Sequence, residues 1–173
     1  MIFATVGTQL PFDRLIDAVD RWAGAAAGRE VFAQVGDTRL RPRHIECAVS
    51  LSPAECREKL LAATAVVAHA GAGTILSALE LGKPLLIMPR KAEFGEHRND
   101  HQLATAERFA SIGRVTVAVD EHALLGKLDE LDALRVREKI SPYASPELLQ
   151  LIQGFIADSG ARRVTTVRRA VTS

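Results

Sequence analysis

Two cysteines, one tryptophan, one tyrosine and a formal net charge of +1 are the scarcities of this 173-residue chain, and each closes off a class of protein. Cys47 and Cys56 do not form a CxxC pair and no second pair exists. That spacing excludes a disulfide scaffold and a structural zinc site, and both residues are expected as reduced, buried thiols of a cytoplasmic protein. With 22 Lys and Arg against 21 Asp and Glu, the chain lacks the charge excess of a dedicated nucleic-acid binder. Long apolar runs are missing too, so no segment reads as a membrane-spanning helix. Met1-Ile2-Phe3-Ala4-Thr5-Val6 reaches a glycine without a basic leader and reads as a first strand, not a signal peptide.

Several signature motifs are also lacking. The first strand-to-helix turn reads VGTQLPFD, without the GxGxxG of nicotinamide-binding folds, and there is no GxxxxGK phosphate loop. His97 and His101 stand at i, i+4, but HRNDH is not HExxH, so no metal site is expected. No GxSxG nucleophile elbow exists, which argues against an α/β hydrolase.

What the chain does have is alternation. At 47% hydrophobic and 25% charged residues, it sets short apolar runs between amphipathic segments, the pattern of a parallel sheet covered by helices. Strands are expected at Ile2–Val6, Val31–Val35, Ile45–Val49, Val66–Ala68, Leu85–Met88 and Val115–Val119. Helices are expected from Phe12 to about Ala23, from the Ser52–Glu55 capping box to about Ala63, and over Thr74–Leu81, His101–Ile112, Asp120–Leu131 and Ser145–Phe155. The fold class is therefore α/β, a Rossmann-like parallel sheet with helices on both faces. One domain is expected over residues 1–157, followed by a basic tail over 158–173 carrying Arg162, Arg163, Arg168 and Arg169.

Ligands of open α/β sheets sit beyond the carboxyl ends of the strands. Three loops there are informative. Gly7-Thr8-Gln9-Leu10-Pro11-Phe12-Asp13 follows the first strand; His69-Ala70-Gly71-Ala72-Gly73-Thr74 joins a strand to a helix; and Arg90–Gln102 holds Gly95-Glu96-His97-Arg98-Asn99-Asp100-His101-Gln102. The second loop keeps side chains small and leaves helix N-terminal N–H groups open to an anion. The same glycines also suit simple strand-to-helix packing, and His69 suits either a packing role or phosphate contact. The polar third loop suits sugar hydroxyls, or else is a solvated surface. Together the loops suggest a sugar nucleotide.

These residues carry a resemblance. Ala4-Thr5-Val6-Gly7-Thr8 with Phe12-Asp13, HAGAGT, Gly82-Lys83-Pro84, Pro89-Arg90 and EHRNDHQ resemble, in order and over about residues 1–155, the C-terminal-type domain of glycosyltransferase family 28. The similarity is greatest to small catalytic subunits of split transferases, such as those of dolichol-linked and bacterial exopolysaccharide synthesis. The resemblance implies the donor-binding half of a GT-B glycosyltransferase, with a UDP-sugar as donor substrate and no metal or other cofactor. It implies a membrane-associated acceptor-binding subunit as partner, a lipid-linked sugar acceptor, and recruitment to the cytosolic membrane face.

By the resemblance, Gly7 and Thr8 line the cleft near the diphosphate, and Gly71, Ala72, Gly73 and Thr74 hold phosphate. Glu96, His97, Arg98, Asn99, Asp100 and Gln102 face the donor, and Gln34-Val35-Gly36-Asp37 lies near uracil. His69 and Asp100 are the expected catalytic residues. Where several relatives carry a glutamate that grips the ribose, this chain has Ser77, which hydrogen-bonds without charge assistance. The competing reading is a non-catalytic nucleotide-sugar-binding or regulatory subunit of a glycan-synthesis complex.

Overall fold

The computed structural model describes residues 1–25, 28–134, 139–141, 143, 149–150 and 152–153. Two compact units divide the chain, Met1–Ile140 and Ser141–Ser173, and the site lies wholly in the first. The expected helix over Ser145–Phe155 falls largely outside the described residues, of which 149–150 and 152–153 are helical, and the expected tail lies outside them entirely.

Six strands form one parallel sheet: β1 (Ile2–Thr5), β2 (Val31–Gln34), β3 (Glu46–Ala48), β4 (Ala65–His69), β5 (Leu85–Met88) and β6 (Thr116–Val117), in the order β3-β2-β1-β4-β5-β6. Side chains of a strand alternate between faces, and the core divides accordingly. Ala4, Val67, Leu86 and Met88 pack on one face with Leu15, Ile16, Val19 and Trp22 of α1 (Asp13–Ala25) and Leu124 and Leu128 of α5 (Glu121–Asp129). Phe3, Val66, Leu85 and Ile87 pack on the other with Leu60 of α2 (Pro53–Ala62), Ile75 and Leu79 of α3 (Ala72–Glu80) and Ala106 of α4 (His101–Ser111). Interior strands covered on both faces read as unbroken apolar runs, and all four residues of β5 are buried.

Every expected strand forms: β4 extends one residue further at each end, β5 has the expected bounds, and the other four are shorter. The order changes direction between β1 and β4, so the loops after β1, β4 and β5 open beside one another at the carboxyl edge. Two local expectations need correction. Helix α3 begins at Ala72, two residues before the expected Thr74, which puts Gly73 inside its first turn. Cys47 is exposed and not buried, because β3 is an edge strand whose first two residues face solvent. The Ser52 capping box forms as read: Ser52 Oγ accepts from Glu55 N, and Glu55 Oε2 accepts from Ser52 N at 2.7 Å. Among the described residues no helix is long and apolar enough to cross a membrane.

Candidate donor-binding site

The loops after β1, β4 and β5 enclose a cavity of about 500 Å³. The β4 turn supplies its floor. Gly71 is the N-cap of α3 and has no side chain with which to cap it, and the first backbone hydrogen bond of the helix runs from Ile75 N to Gly71 O at 3.0 Å. The N–H groups of Ala72, Gly73 and Thr74 therefore have no intrahelical acceptor, and they lie at the positive end of the helix dipole. Ser77, one turn on, shares their face and also lines the cavity.

The glycines differ in what they are for. A Cβ built on Gly71 would lie 2.2 Å from His69 Nε2, and one on Gly7 would lie 2.6 Å from His69 Cε1. The imidazole of His69 thus fills the gap between the β1 and β4 loops, and neither position has room for a side chain. Gly7 additionally has φ +75°, a conformation that favours glycine. Around Gly73, by contrast, a Cβ would meet nothing within 4 Å. Protein packing does not require that glycine, and its lack of a side chain leaves the approach to the helix N–H groups unobstructed.

The β1 loop is fixed from below. Gln34 Nε2 donates to Gly7 O at 2.7 Å, Thr5 Oγ1 donates to Gln34 Oε1, and Gly7 N donates to Thr5 Oγ1 at 3.1 Å. Gly36 packs against Val6, 3.2 Å from a Cβ built on it to Val6 Cγ2. The segment expected near uracil thus buttresses the loop, and Gly36 is not on the cavity lining. Asp13 starts α1 and accepts a hydrogen bond from the Thr38 hydroxyl.

In the β5–α4 loop the side chains part company. His97, His101 and Gln102 line the cavity, with the two imidazoles edge to face at 4.3 Å between ring centroids. Glu96, Arg98, Asn99 and Asp100 are off the lining. Glu96 forms a two-pronged ion pair with Arg14, at 2.8 and 3.0 Å, and also accepts from Lys91 N. Asp100 accepts from Ala92 N at 2.8 Å, Asn99 accepts from His101 N, and Arg98 is exposed. The structure therefore gathers Gly7, Thr8, His69, Gly71, Ala72, Gly73, Thr74, Ser77, His97 and Gln102 and leaves Gly36, Glu96, Arg98, Asn99 and Asp100 outside.

Arg90, Gln9, His101, Thr5 and Cys56 join the lining beyond the expected set. A charged residue just beyond a fully apolar strand, after Pro89, is the signal for Arg90 in the sequence.

The electrostatics are one-sided. The lining carries Arg90 and three histidines and no carboxylate. His69 Nδ1 and His97 Nδ1 are buried without a hydrogen-bond partner. Burial, and then the charge of Arg90, push the His69 pKa down to about 4, so this imidazole is neutral at pH 7. Burial and then His101 lower that of His97. Among the described residues no group of three or more His, Cys, Asp or Glu side chains is placed to hold a metal ion.

Three solved structures illustrate the fold's company. MurG of Acinetobacter baumannii is 18% identical with TM-score 0.58, over 78% of this chain and 42% of that one. CalG4, the calicheamicin glycosyltransferase, is 21% identical with TM-score 0.55, over 76% and 34%. ALG13, solved in solution, is 18% identical with TM-score 0.56, over 87% of this chain and 93% of that one. At such identities the likeness is one of fold, and the chain spans less than half of MurG or CalG4. No curated protein matches the sequence. The model of the glycosyltransferase family 28 C-terminal domain matches residues 1–144, most of the chain, and the protein belongs to that family.

Proposed function

We propose that this chain is the donor-binding, catalytic subunit of a two-component inverting glycosyltransferase, moving a sugar from a UDP-sugar to a lipid-linked acceptor. One observation carries the reading: a cavity without carboxylates, onto which the open N-terminus of α3, Arg90 and three imidazoles converge. Such a lining suits a diphosphate and repels no part of it. Family membership supports the reaction class. The requirement for a partner is supported by family membership and by the likeness in fold to ALG13.

In the transfer, an acceptor hydroxyl attacks the anomeric carbon, the bond from that carbon to the diphosphate oxygen breaks, and its electron pair leaves with UDP. The growing charge on the leaving diphosphate needs donors already in place. The N–H groups of Ala72, Gly73 and Thr74 and the Thr74 hydroxyl supply them, and neutral His69 holds the two glycine loops apart. Ser77 faces the ribose, and His97 and Gln102 face the sugar. Asp100 is tied to Ala92 N, so the base that takes the acceptor's proton is assigned to the acceptor side, on the partner. The mechanism assigns no metal.

Thermal shift and calorimetry with UDP and a panel of UDP-sugars test the reading. A ligand bound only by the native state stabilises it by about 2.7 kcal/mol at a hundred times its Kd. The expected outcome is stabilisation by UDP, and transfer to a lipid-linked acceptor only on co-expression with a membrane-anchored partner. No stabilisation by UDP or any UDP-sugar would sink the proposal, and full transfer by the chain alone would remove the partner from it.

A further inference from the structure

Arg90 follows the buried run of β5 and is itself 2% exposed. Its guanidinium reaches two loops at once. Nη2 donates to Val6 O at 2.7 Å and to Leu10 O at 2.5 Å, and Nη1 donates to Pro11 O at 2.6 Å, all in the β1 loop. Nη1 also donates to Glu96 O at 3.3 Å in the β5–α4 loop. The backbone of Arg90 is held in turn, its N–H donating to Gln102 Oε1 at 3.1 Å, and the guanidinium lies 4.8 Å over the Phe12 ring. A planar fork with five donors can satisfy four carbonyls together; a lysine ammonium has three donors and no plane.

Among the described residues no carboxylate forms a close ion pair with Arg90. Glu96 is the nearest candidate, since its own carbonyl is already on Arg90, but its carboxylate is taken by Arg14, which also pairs with Glu121 at 2.8 Å. A buried cation held by carbonyl dipoles, with the Glu96 carboxylate acting on it only through the field of its charge, keeps an attraction for an anion. The only lining groups beside it are neutral or cationic.

We propose that Arg90 is a positioning residue that clasps the β1 and β5–α4 loops into one wall, and that its charge, unpaired because Arg14 diverts Glu96, makes the site select a nucleoside diphosphate over the uncharged nucleoside. The first half stands on the loop geometry alone; the second rests on the donor-site reading above. The clasp explains how Gly7, Thr8 and Gln9 on one loop, and His97 on the other, keep a common register around the α3 N-terminus.

Amide hydrogen exchange and calorimetry on the full chain test both halves. In the ligand-free wild type, residues 7–10 and 91–98 are expected to open with one constant, within about twofold. Constants differing by about tenfold or more overturn the clasp. Arg90→Lys keeps the charge and loses the fork, so exchange should quicken about tenfold in both segments and not in α5; quickening in one segment or neither overturns it. Arg90→Gln removes the charge and should lower UDP affinity at least about tenfold while uridine affinity stays within about twofold. Equal losses for both ligands, the mark of a merely structural role, overturn the selectivity. Should either variant fail to fold, wild-type protein still decides. Its loop opening judges the clasp, and binding UDP and uridine equally refutes the selectivity, whereas binding neither refutes the donor-site reading itself.

Discussion

The glycine turn at residues 69–74 and the polar loop at residues 96–102 both line one cavity, and they offer it groups of opposite kinds. In the turn, the groups open to a ligand are backbone N–H groups, and His69 and every residue from Gly71 to Thr74 reach the cavity. In the polar loop, contacts would come from side chains, and only His97, His101 and Gln102 do. Where the binding group is the main chain, the path of the chain fixes its direction. Where it is a side chain, competing partners decide, and here Arg14 and two backbone N–H groups draw the carboxylates away.

Within the turn the comparison can be broken at Gly71. A Cβ there would lie 2.2 Å from His69 Nε2, and β-branched valine adds two methyl groups, so Gly71→Val must expel the imidazole or part the two loops. Overpacking of this kind costs about 3 kcal/mol. A lowered urea midpoint together with lost UDP binding is the expected result. Wild-type stability in Gly71→Val would show that His69 moves freely and that the β1 and β4 loops are not spaced by it.

The same imidazole gives the turn a pH signature. In the unfolded chain His69 takes up its proton near its ordinary value of 6.5, whereas in the native state it does so only near 4. Above about pH 6.5 both states are neutral and His69 contributes no slope. As pH falls from about 6.5 toward 4 the unfolded chain binds the proton and the native state does not, so stability falls, by about 2 kcal/mol at pH 5. His97, also lowered, adds a loss of the same sign. Urea midpoints between pH 7 and 5 measure it, a window above the usual titration of the carboxylates. His69→Asn should flatten most of the slope, and an unchanged slope would assign the effect to other groups.

Gly73 separates ligand binding from folding. A Cβ there meets nothing, and alanine is the better helix former, so Gly73→Ala should keep or raise stability by about 0.5 kcal/mol. The methyl group instead stands over the α3 N–H groups, and UDP affinity should fall by about tenfold as the phosphate is pushed away. Calorimetry beside a melting curve reads both. Unchanged affinity would return Gly73 to the role of a packing device and move the phosphate elsewhere.

These contrasts show what could be read in the chain. The sheet was legible because Leu85-Leu86-Ile87-Met88 and its fellow strands are short apolar runs ended by glycine, proline or polar residues, and all six formed. The start of α3 was misplaced by two residues because Ala72 and Gly73 look like turn residues, although only Gly71 keeps extended backbone. Gly36 was drawn to the ligand by its loop position at a strand end; its actual neighbours, Val6 and Pro11, come from the loop it supports. Arg90 stands out in the sequence beside Pro89, but its clasp is a tertiary fact: three of its acceptors are carbonyls 79 to 84 residues away. No local pattern encodes which carbonyls a guanidinium will find.

Asp100 marks the smallest expected effect and the sharpest test of the polar loop. Its carboxylate accepts the Ala92 N–H at 2.8 Å, and the residue is exposed at the start of α4 and off the cavity lining. Asparagine keeps an acceptor oxygen for that N–H, so Asp100→Asn should change stability by less than about 0.5 kcal/mol. UDP affinity should remain within about twofold, since no charge is removed from the lining. If the proton-accepting base belongs to the acceptor side, turnover in the assembled two-component system also persists. Lost turnover with intact UDP affinity would instead return the base to this chain, and would mean that the β5–α4 loop turns Asp100 toward the acceptor once the partner is in place.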